Sequence, residues 1–257
     1  MKIIKIKALH WKYGERLILD NIDLEMERGK FYSIIGPNGS GKTTLLKSIT
    51  KILEPQKDTI WIEDKDILDF KGKELARKLA SVPQNTEINF DFSAEAIVMM
   101  GRTPHLKRFE MEKDKDAAIA RESMMTTNTW QMRHENINNL SGGERQRVIV
   151  ARALTQESDV LLLDEPIAHL DIHHQIKLLD SIKGLNTQKG LTVIAVLHDL
   201  NLAARFSDEL ILLSQGKISA LGSVEEVLTK ENIKNVYDME VYMMKNPVTG
   251  KPHMIPI

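Results

Sequence analysis

Gly36-Pro37-Asn38-Gly39-Ser40-Gly41-Lys42-Thr43-Thr44 reads as a glycine, four residues, then Gly-Lys-Thr, the spacing of a loop that cradles phosphates. Phe31-Tyr32-Ser33-Ile34-Ile35 before it is β-prone, and Leu45, Leu46 and Ile49 after it fall at helical spacing. A strand, a tight loop and a helix start coincide. Glycines at 36, 39 and 41 let the backbone curl until consecutive N–H groups converge on phosphate oxygens, and the helix that follows adds the positive end of its dipole. Lys42 reaches the terminal phosphates, and the Thr43 hydroxyl suits a Mg²⁺ bridging them. The first inference is a nucleoside triphosphate site.

Downstream, Val160-Leu161-Leu162-Leu163 is a wholly apolar run ending in Asp164-Glu165-Pro166. Such a run predicts a buried parallel strand, and in open α/β sheets ligands bind at the carboxyl ends of the strands. Asp164 suits a metal held through water, and Glu165 suits a base that polarises water for in-line attack on a γ-phosphate. A second buried strand, Leu191 to Leu197, ends at His198-Asp199. His198 there is either a hydrogen-bond donor to the γ-phosphate or a structural histidine.

Between these lies Leu140-Ser141-Gly142-Gly143-Glu144-Arg145-Gln146. Ser141 with Glu144 three residues on is a capping-box pattern, and Val148, Ala151 and Ala153 or Leu154 continue an apolar helical face. A helix begins here with its first N–H groups bared by glycines, which makes a second anion site. Ala168-His169-Leu170-Asp171 leads into a further helix, with Ile172, Ile176, Leu179 and Ile182 expected on one face. His169 and His173 stand at i, i+4, but with no third ligand the three histidines 169, 173 and 174 read as solvated or packing groups.

Two residues are ambiguous by themselves. Tyr13, in the turn Tyr13-Gly14-Glu15, either stacks on a base or is an ordinary turn aromatic. Gln84 follows Pro83 at the head of a loop, where it either bonds a metal-bound water or is solvated.

The 257 residues suit one large domain or two joined ones. At 42% hydrophobic and 28% charged, the composition is that of a soluble globular protein. A net charge of −1 implies no general pull toward nucleic acid. The absence of cysteine removes any disulfide framework or thiolate metal site and fits a reducing compartment. Met1 to Leu9 alternates Lys with Ile and lacks a signal peptide's apolar core. Leu191 to Leu197 is far shorter than the roughly 20 residues a membrane-crossing helix needs, so any membrane connection runs through a partner.

The expected organisation is a nucleotide-binding α/β core of residues 1–84 and 140–222, a helical insertion over 85–139 and a C-terminal extension over 223–257 that is turn-rich and extended, without catalytic chemistry. The extension is expected to open with a helix near Ser223 to Leu228, the turn-rich, extended part being the tail with Pro247, Gly250, Pro252 and Pro256. In the insertion Ser93 caps a helix through Met100, Gly101-Arg102-Thr103-Pro104 breaks it, and Lys107 to Met125 is mostly helical. Phe90, Phe92, Met99, Met100, Leu106 and Phe109 either pack a core or form a docking surface.

Taken together, Tyr13, Gly36 to Thr44, Gln84, Leu140 to Gln146, Val160 to Pro166, Ala168 to Asp171 and His198 resemble the nucleotide-binding subunit of an ABC transporter. The likeness covers nearly the whole chain, and Leu-Ser-Gly-Gly-Glu is its discriminating motif. It implies a single P-loop ABC-type ATPase domain, of α/β class, with an N-terminal antiparallel β subdomain and a helical insertion. It also implies ATP and Mg²⁺ as ligands, Tyr13 on adenine, Gln84 as sensor of metal and membrane partner, and His198 as switch histidine. Ser141, Gly142 and Gly143 then bind ATP held by a second copy in a head-to-tail dimer, with Asp171 linking the two sites. Ile167-Ala168 departs from the hydroxyl residues common in the family after Glu-Pro.

Gly101-Arg102-Thr103-Pro104-His105 with Arg108-Phe109, and the tail Asn246-Pro247-Val248-Thr249-Gly250-Lys251-Pro252, are similar to the subgroup importing iron-siderophores, haem and vitamin B12. That subgroup implies two such subunits on the cytoplasmic face of the membrane with two permeases, fed by an extracytoplasmic binding protein. The alternative is a soluble ABC ATPase that regulates a protein assembly without transport.

Overall fold

A computed structural model describes residues 1–84, 88, 90–168 and 170–257, arranged as two compact units, Met1–Phe70 with Thr192–Ile257 and Lys71–Leu191. Met1–Phe70 contains β1 (Lys2–Tyr13), β2 (Arg16–Glu27), β3 (Phe31–Ile35), α1 (Lys42–Ile49), β4 (Ile60–Ile62) and β5 (Lys65–Asp66). Lys71–Leu191 contains α2 (Gly72–Lys78), β6 (Leu79–Val82), α3 (Ala94–Met99), α4 (Asp114–Thr126), α5 (Gly142–Thr155), β7 (Val160–Asp164) and α6 (Ile172–Lys189). Thr192–Ile257 contains β8 (Thr192–Val196), α7 (Leu200–Phe206), β9 (Glu209–Ser214), β10 (Lys217–Ser223), α8 (Val224–Val227), α9 (Lys230–Tyr237), β11 (Val241–Lys245) and β12 (Pro252–Pro256).

In the first unit, β3 runs parallel to both β8 and β9, and β10 pairs antiparallel outside β9, giving the order β10-β9-β3-β8. Every residue of β3 and β8 is buried, which explains why both read as unbroken apolar runs rather than as alternation. The two hydroxyls on β3 are satisfied: Ser207 Oγ donates to Ser33 Oγ at 2.7 Å, and Tyr32 OH accepts from Glu27 N–H at 2.7 Å. The order β2-β1-β4-β5 makes a separate antiparallel sheet, the antiparallel β subdomain expected from the resemblance. Its buried side chains include Ile4, Ile6, Leu9, Leu19, Ile22, Leu24 and Met26.

The extension opens with the helix expected near Ser223 to Leu228, α8, and differs from the expected turn-rich tail beyond it. It holds a helix, α9, and a hairpin, β11–β12, whose loop takes up Pro247 and Gly250. Thr229 caps α9 by accepting from the Asn232 N–H at 3.1 Å, and Ile233 is fully buried beneath it.

In the second unit β6 and β7 pair in parallel, Leu79 opposite Val160 through Val82 opposite Leu163, and α5 packs against α3 and α4. Ser93 caps α3 as expected, its Oγ accepting from Ala96 N–H at 3.2 Å. Before α4 the chain is not helical over 107–113. Arg102, 4% exposed, donates to Asp116 at 2.8 Å, to the Thr155 carbonyl at 2.9 Å and to Glu157 at 2.8 Å. Beside it, a Cβ on Gly101 would sit 2.3 Å from the Arg152 carbonyl oxygen, so only glycine fits. The Gly-Arg-Thr-Pro-His stretch is therefore a pin between the insertion and the end of α5. Phe90, Phe92, Met100 and Phe109 are exposed, which rules out core packing for those four.

On α6, Leu178, Leu179 and Ile182 are buried, whereas Ile172 is exposed and Ile176 half-buried. The first turn stands clear of the packed face, so Ile172 departs from the expected stripe. Among the described residues no helix is long and apolar enough to cross a membrane.

Candidate functional site

The phosphate loop leaves β3 at Gly36, whose φ is +147° and whose Cβ, if present, would lie 2.2 Å from the Leu213 carbonyl oxygen. Gly41, at φ +106°, caps α1 in a left-handed conformation closed to side chains by Leu19 and Ile18. The loop is braced from β9–β10: Gly216 N–H donates to Ser40 O at 3.1 Å, and Gly216 O accepts from Asp20 N–H at 2.9 Å. Lys42, 6% exposed, turns its ammonium onto the loop's own Gly36 and Pro37 carbonyls at 2.8 and 2.9 Å. Ser40 Oγ is buried and without a hydrogen-bond partner, a polar atom inside the loop whose requirement is met by none of the described residues. Asn38 and Gly39 are exposed, Pro37 and Thr43 half-buried and Thr44 buried.

The same unit carries Tyr13 and His198. Tyr13 is half exposed at the end of β1, its ring edge-on to Trp11 at 6.1 Å. His198 is exposed just beyond β8, followed by Asp199, which caps α7 by accepting from Asn201 and Leu202 N–H at 2.8 and 2.9 Å.

In the second unit β7 ends at buried Asp164, and the next residue, Glu165, has φ +52°. A left-handed glutamate at a strand end is strained backbone, which persists where surrounding structure imposes it. Gln84, beyond β6, donates from Nε2 to Glu165 Oε2 at 2.7 Å. The parallel pairing of β6 and β7 thus brings together two residues that the sequence left far apart. Gln84 is exposed, with the Glu165 carboxylate as its side-chain partner.

The signature stretch opens α5 as its capping box predicts. Ser141 Oγ accepts from the Glu144 N–H at 3.3 Å, while Glu144 Oε2 accepts from Ser141 N–H at 2.9 Å and Ser141 Oγ at 2.7 Å. The hydroxyl, then the backbone N–H, of Ser141 hold the Glu144 carboxyl below its usual range. Ser141 and Gly142 are exposed and Gly143 is half-buried, so the first turn of α5 is open to a ligand. Asp171 caps α6, accepting from His174 N–H at 2.9 Å and lying 2.8 Å from His174 Nδ1. His173 is exposed and meets His174 edge-on; His169 lies outside the described residues. Ile167 is buried, an environment that suits the apolar residue found where hydroxyls are common. Sequence reasoning missed the brace from Gly216; it depends on chain far from the loop, and no local signal marks it.

A phosphate loop on a parallel strand, carboxylates at another strand end, a capped Ser-Gly-Gly helix start and an antiparallel β subdomain define an ABC-type P-loop ATPase. The chain belongs to the ABC transporter family, whose model matches residues 19–168. It is 38% identical over 245 residues to the ferric enterobactin transport ATP-binding protein FepC of Escherichia coli K12, covering 95% of this chain and 90% of that one. It is 35% identical to the iron(3+)-hydroxamate import ATP-binding protein FhuC of Bacillus subtilis 168, covering 98% and 94%. Among solved structures it resembles the dimeric bacterial ABC transporter cassette MJ0796 with a TM-score of 0.77 at 30% identity, covering 86% and 99%. The protein is an ATP hydrolase of the ABC type.

Proposed function

We propose that this chain is the ATP-hydrolysing subunit of a membrane importer for an iron-siderophore or related metal chelate. The carrying observation is its identity with the ferric enterobactin transport subunit across nearly all of both chains. In this reading the chain sits peripherally on the cytoplasmic face of the membrane, paired with a second copy and two permease subunits, and receives cargo delivered by an extracytoplasmic binding protein. The exposed Phe90, Phe92, Met100 and Phe109 fit contact with the permease.

Tyr13 stacks on adenine, and the N–H groups from Gly36 to Thr44 take the phosphates while Lys42 leaves its loop carbonyls for the terminal ones. Mg²⁺ suits the all-oxygen set of Thr43 hydroxyl, Asp164 carboxylate and Gln84 amide oxygen, and when bound it neutralises charge on the phosphates. The bond from Gln84 Nε2 to Glu165 leaves Gln84 Oε1 for that role. Glu165 accepts the proton of the attacking water, and His198 donates to the γ-phosphate. Ser141, Gly142 and Gly143 present their open helix start to the nucleotide of the second copy, and Asp171 links the sites. Loss of the γ-phosphate removes those contacts and opens the dimer.

Co-purification tests the assignment. Recovery with a polytopic membrane protein, and loss of growth on a ferric siderophore when the gene is deleted, support import. Recovery with soluble partners alone and unaltered growth contradict it.

A further inference from the structure

We propose that Asn201, gripped by the C-terminal tail, is a positioning residue for His198. The inference rests on His198 donating to the γ-phosphate, and it gives a task to the tail, which that reading leaves without one. Asn201 lies in the first turn of α7, three residues after His198. Its side-chain amide pairs with the backbone of one β12 residue: Nδ2 donates to Met254 O at 3.0 Å, and Oδ1 accepts from Met254 N–H at 2.8 Å. Its own backbone N–H donates to Asp199 Oδ1 at 2.8 Å. A continuous run of hydrogen bonds thus leads from the tail through Asn201 to the residue next to His198.

The hairpin is shaped for this contact. Met254 stands opposite Met243, with Pro252 opposite Lys245 and Pro256 opposite Val241. Backbone groups along a strand point alternately to either side, so residues 252, 254 and 256 turn theirs away from β11. Proline has no N–H to offer. Within β12, Met254 alone therefore presents a donor on that edge, and Asn201 takes it. The loop of the hairpin is fixed by Asn246, whose Oδ1 accepts from Val248 and Thr249 N–H at 2.9 and 3.1 Å and whose N–H donates to Lys251 O at 2.8 Å. Lys251 Nζ in turn donates to the carbonyl of Ser207 at the C-terminal end of α7, where the helix dipole favours a cation. One hairpin holds both ends of α7.

A helix of seven residues is too short to hold its shape alone, so α7 is placed by what it touches. Its buried face is Leu200, Ala203, Ala204 and Phe206, and the two alanines carry few atoms with which to lock its position. His198, exposed at the strand end, takes its place from the turn that follows it. A displacement of about 1 Å at a reacting group costs up to about 10²-fold in rate. Releasing Asn201 loosens that turn, and the loss falls on turnover rather than on nucleotide affinity, because Met254 and Asp199, to which Asn201 bonds, are not among the residues proposed to bind the nucleotide.

The test uses the full chain with Asn201→Ala and, separately, Met254→Pro, which removes from the tail's side the N–H that Asn201 accepts and leaves the ladder to β11 in place. Turnover at saturating ATP, normalised to the fraction of protein that binds ATP, is expected to fall about 5–50-fold in each. The dissociation constant for ATP should stay within about twofold, the split that marks an interaction needed only in the transition state. Adding either change to His198→Ala should lower turnover no further, since Asn201 acts through His198. Parental turnover in both variants, or a loss that persists undiminished in the His198→Ala background, overturns the proposal. His198→Ala alone separates the two levels of failure. Parental turnover there refutes His198 as donor to the γ-phosphate and the role of Asn201 with it, whereas a slow His198→Ala beside a fast Asn201→Ala refutes only the role of Asn201.

Discussion

Gln84 Nε2 lies 2.7 Å from Glu165 Oε2, so the amide at the head of one loop orients the carboxylate at the end of β7. Glu165→Gln is expected to retain ATP binding and to lower turnover about 10²–10⁴-fold, the usual contribution of a general base. Gln84→Leu removes the orienting donor while leaving the base, so its turnover loss should be smaller. Phosphate release and nucleotide binding, measured on the same preparations, check both. A Glu165→Gln protein that turns over at the parental rate removes Glu165 from the base role.

Ser141 is both helix cap and candidate ligand group. Ser141→Ala should cost about 0.5–2 kcal/mol of stability, the range of a lost N-cap, read from urea unfolding, and should also weaken ATP-dependent pairing. The effect has a pH signature through Glu144. Its carboxyl is held below its usual 4.5 by Ser141, so the folded state binds its proton less readily than the unfolded chain. The stabilisation is thus fully present above the unfolded value and is lost as pH falls through the folded one. The stability difference between parent and Glu144→Ala should be largest near about pH 7 and shrink below about pH 4; a difference that grows on acidification contradicts the capping box.

Arg102 is a buried cation whose partners are Asp116, Glu157 and the Thr155 carbonyl. The Asp116 carboxyl is held low first by the Lys113 N–H and then by Arg102. Arg102→Ala strands Asp116 and should destabilise the protein by about 3–5 kcal/mol, the cost of breaking a buried pair from one side. Nucleotide affinity of the folded fraction should hold, because Asp116, Thr155 and Glu157, to which Arg102 donates, are not among the proposed nucleotide-site residues. Thermal unfolding with and without ATP separates the two effects.

What could be read from the chain was what depends on neighbours in sequence. The phosphate loop follows from three glycines that the backbone needs, and the capping box of Ser141 with Glu144 forms within one helical turn. The buried strands β3, β7 and β8 announce themselves because both faces are covered. Long-range partners left no trace: Gln84 with Glu165 and Gly216 with Ser40 are each made by folding. Ile172 fits a helical stripe by spacing, yet it is exposed at the start of α6, since periodicity does not say where a helix outruns its packing face. Helix α9 was hidden by the prolines and glycine after it, which belong to the hairpin rather than to the whole tail.

The central claim is that two copies complete each other's nucleotide pockets. Sedimentation of Glu165→Gln with and without ATP, repeated with Ser141→Arg added, tests it most directly. The account predicts monomers without nucleotide, dimers with ATP, and monomers throughout once Ser141 is replaced, with parental turnover rising faster than linearly in protein concentration. A Glu165→Gln protein that binds ATP and stays monomeric, together with parental turnover strictly proportional to protein concentration, would contradict it.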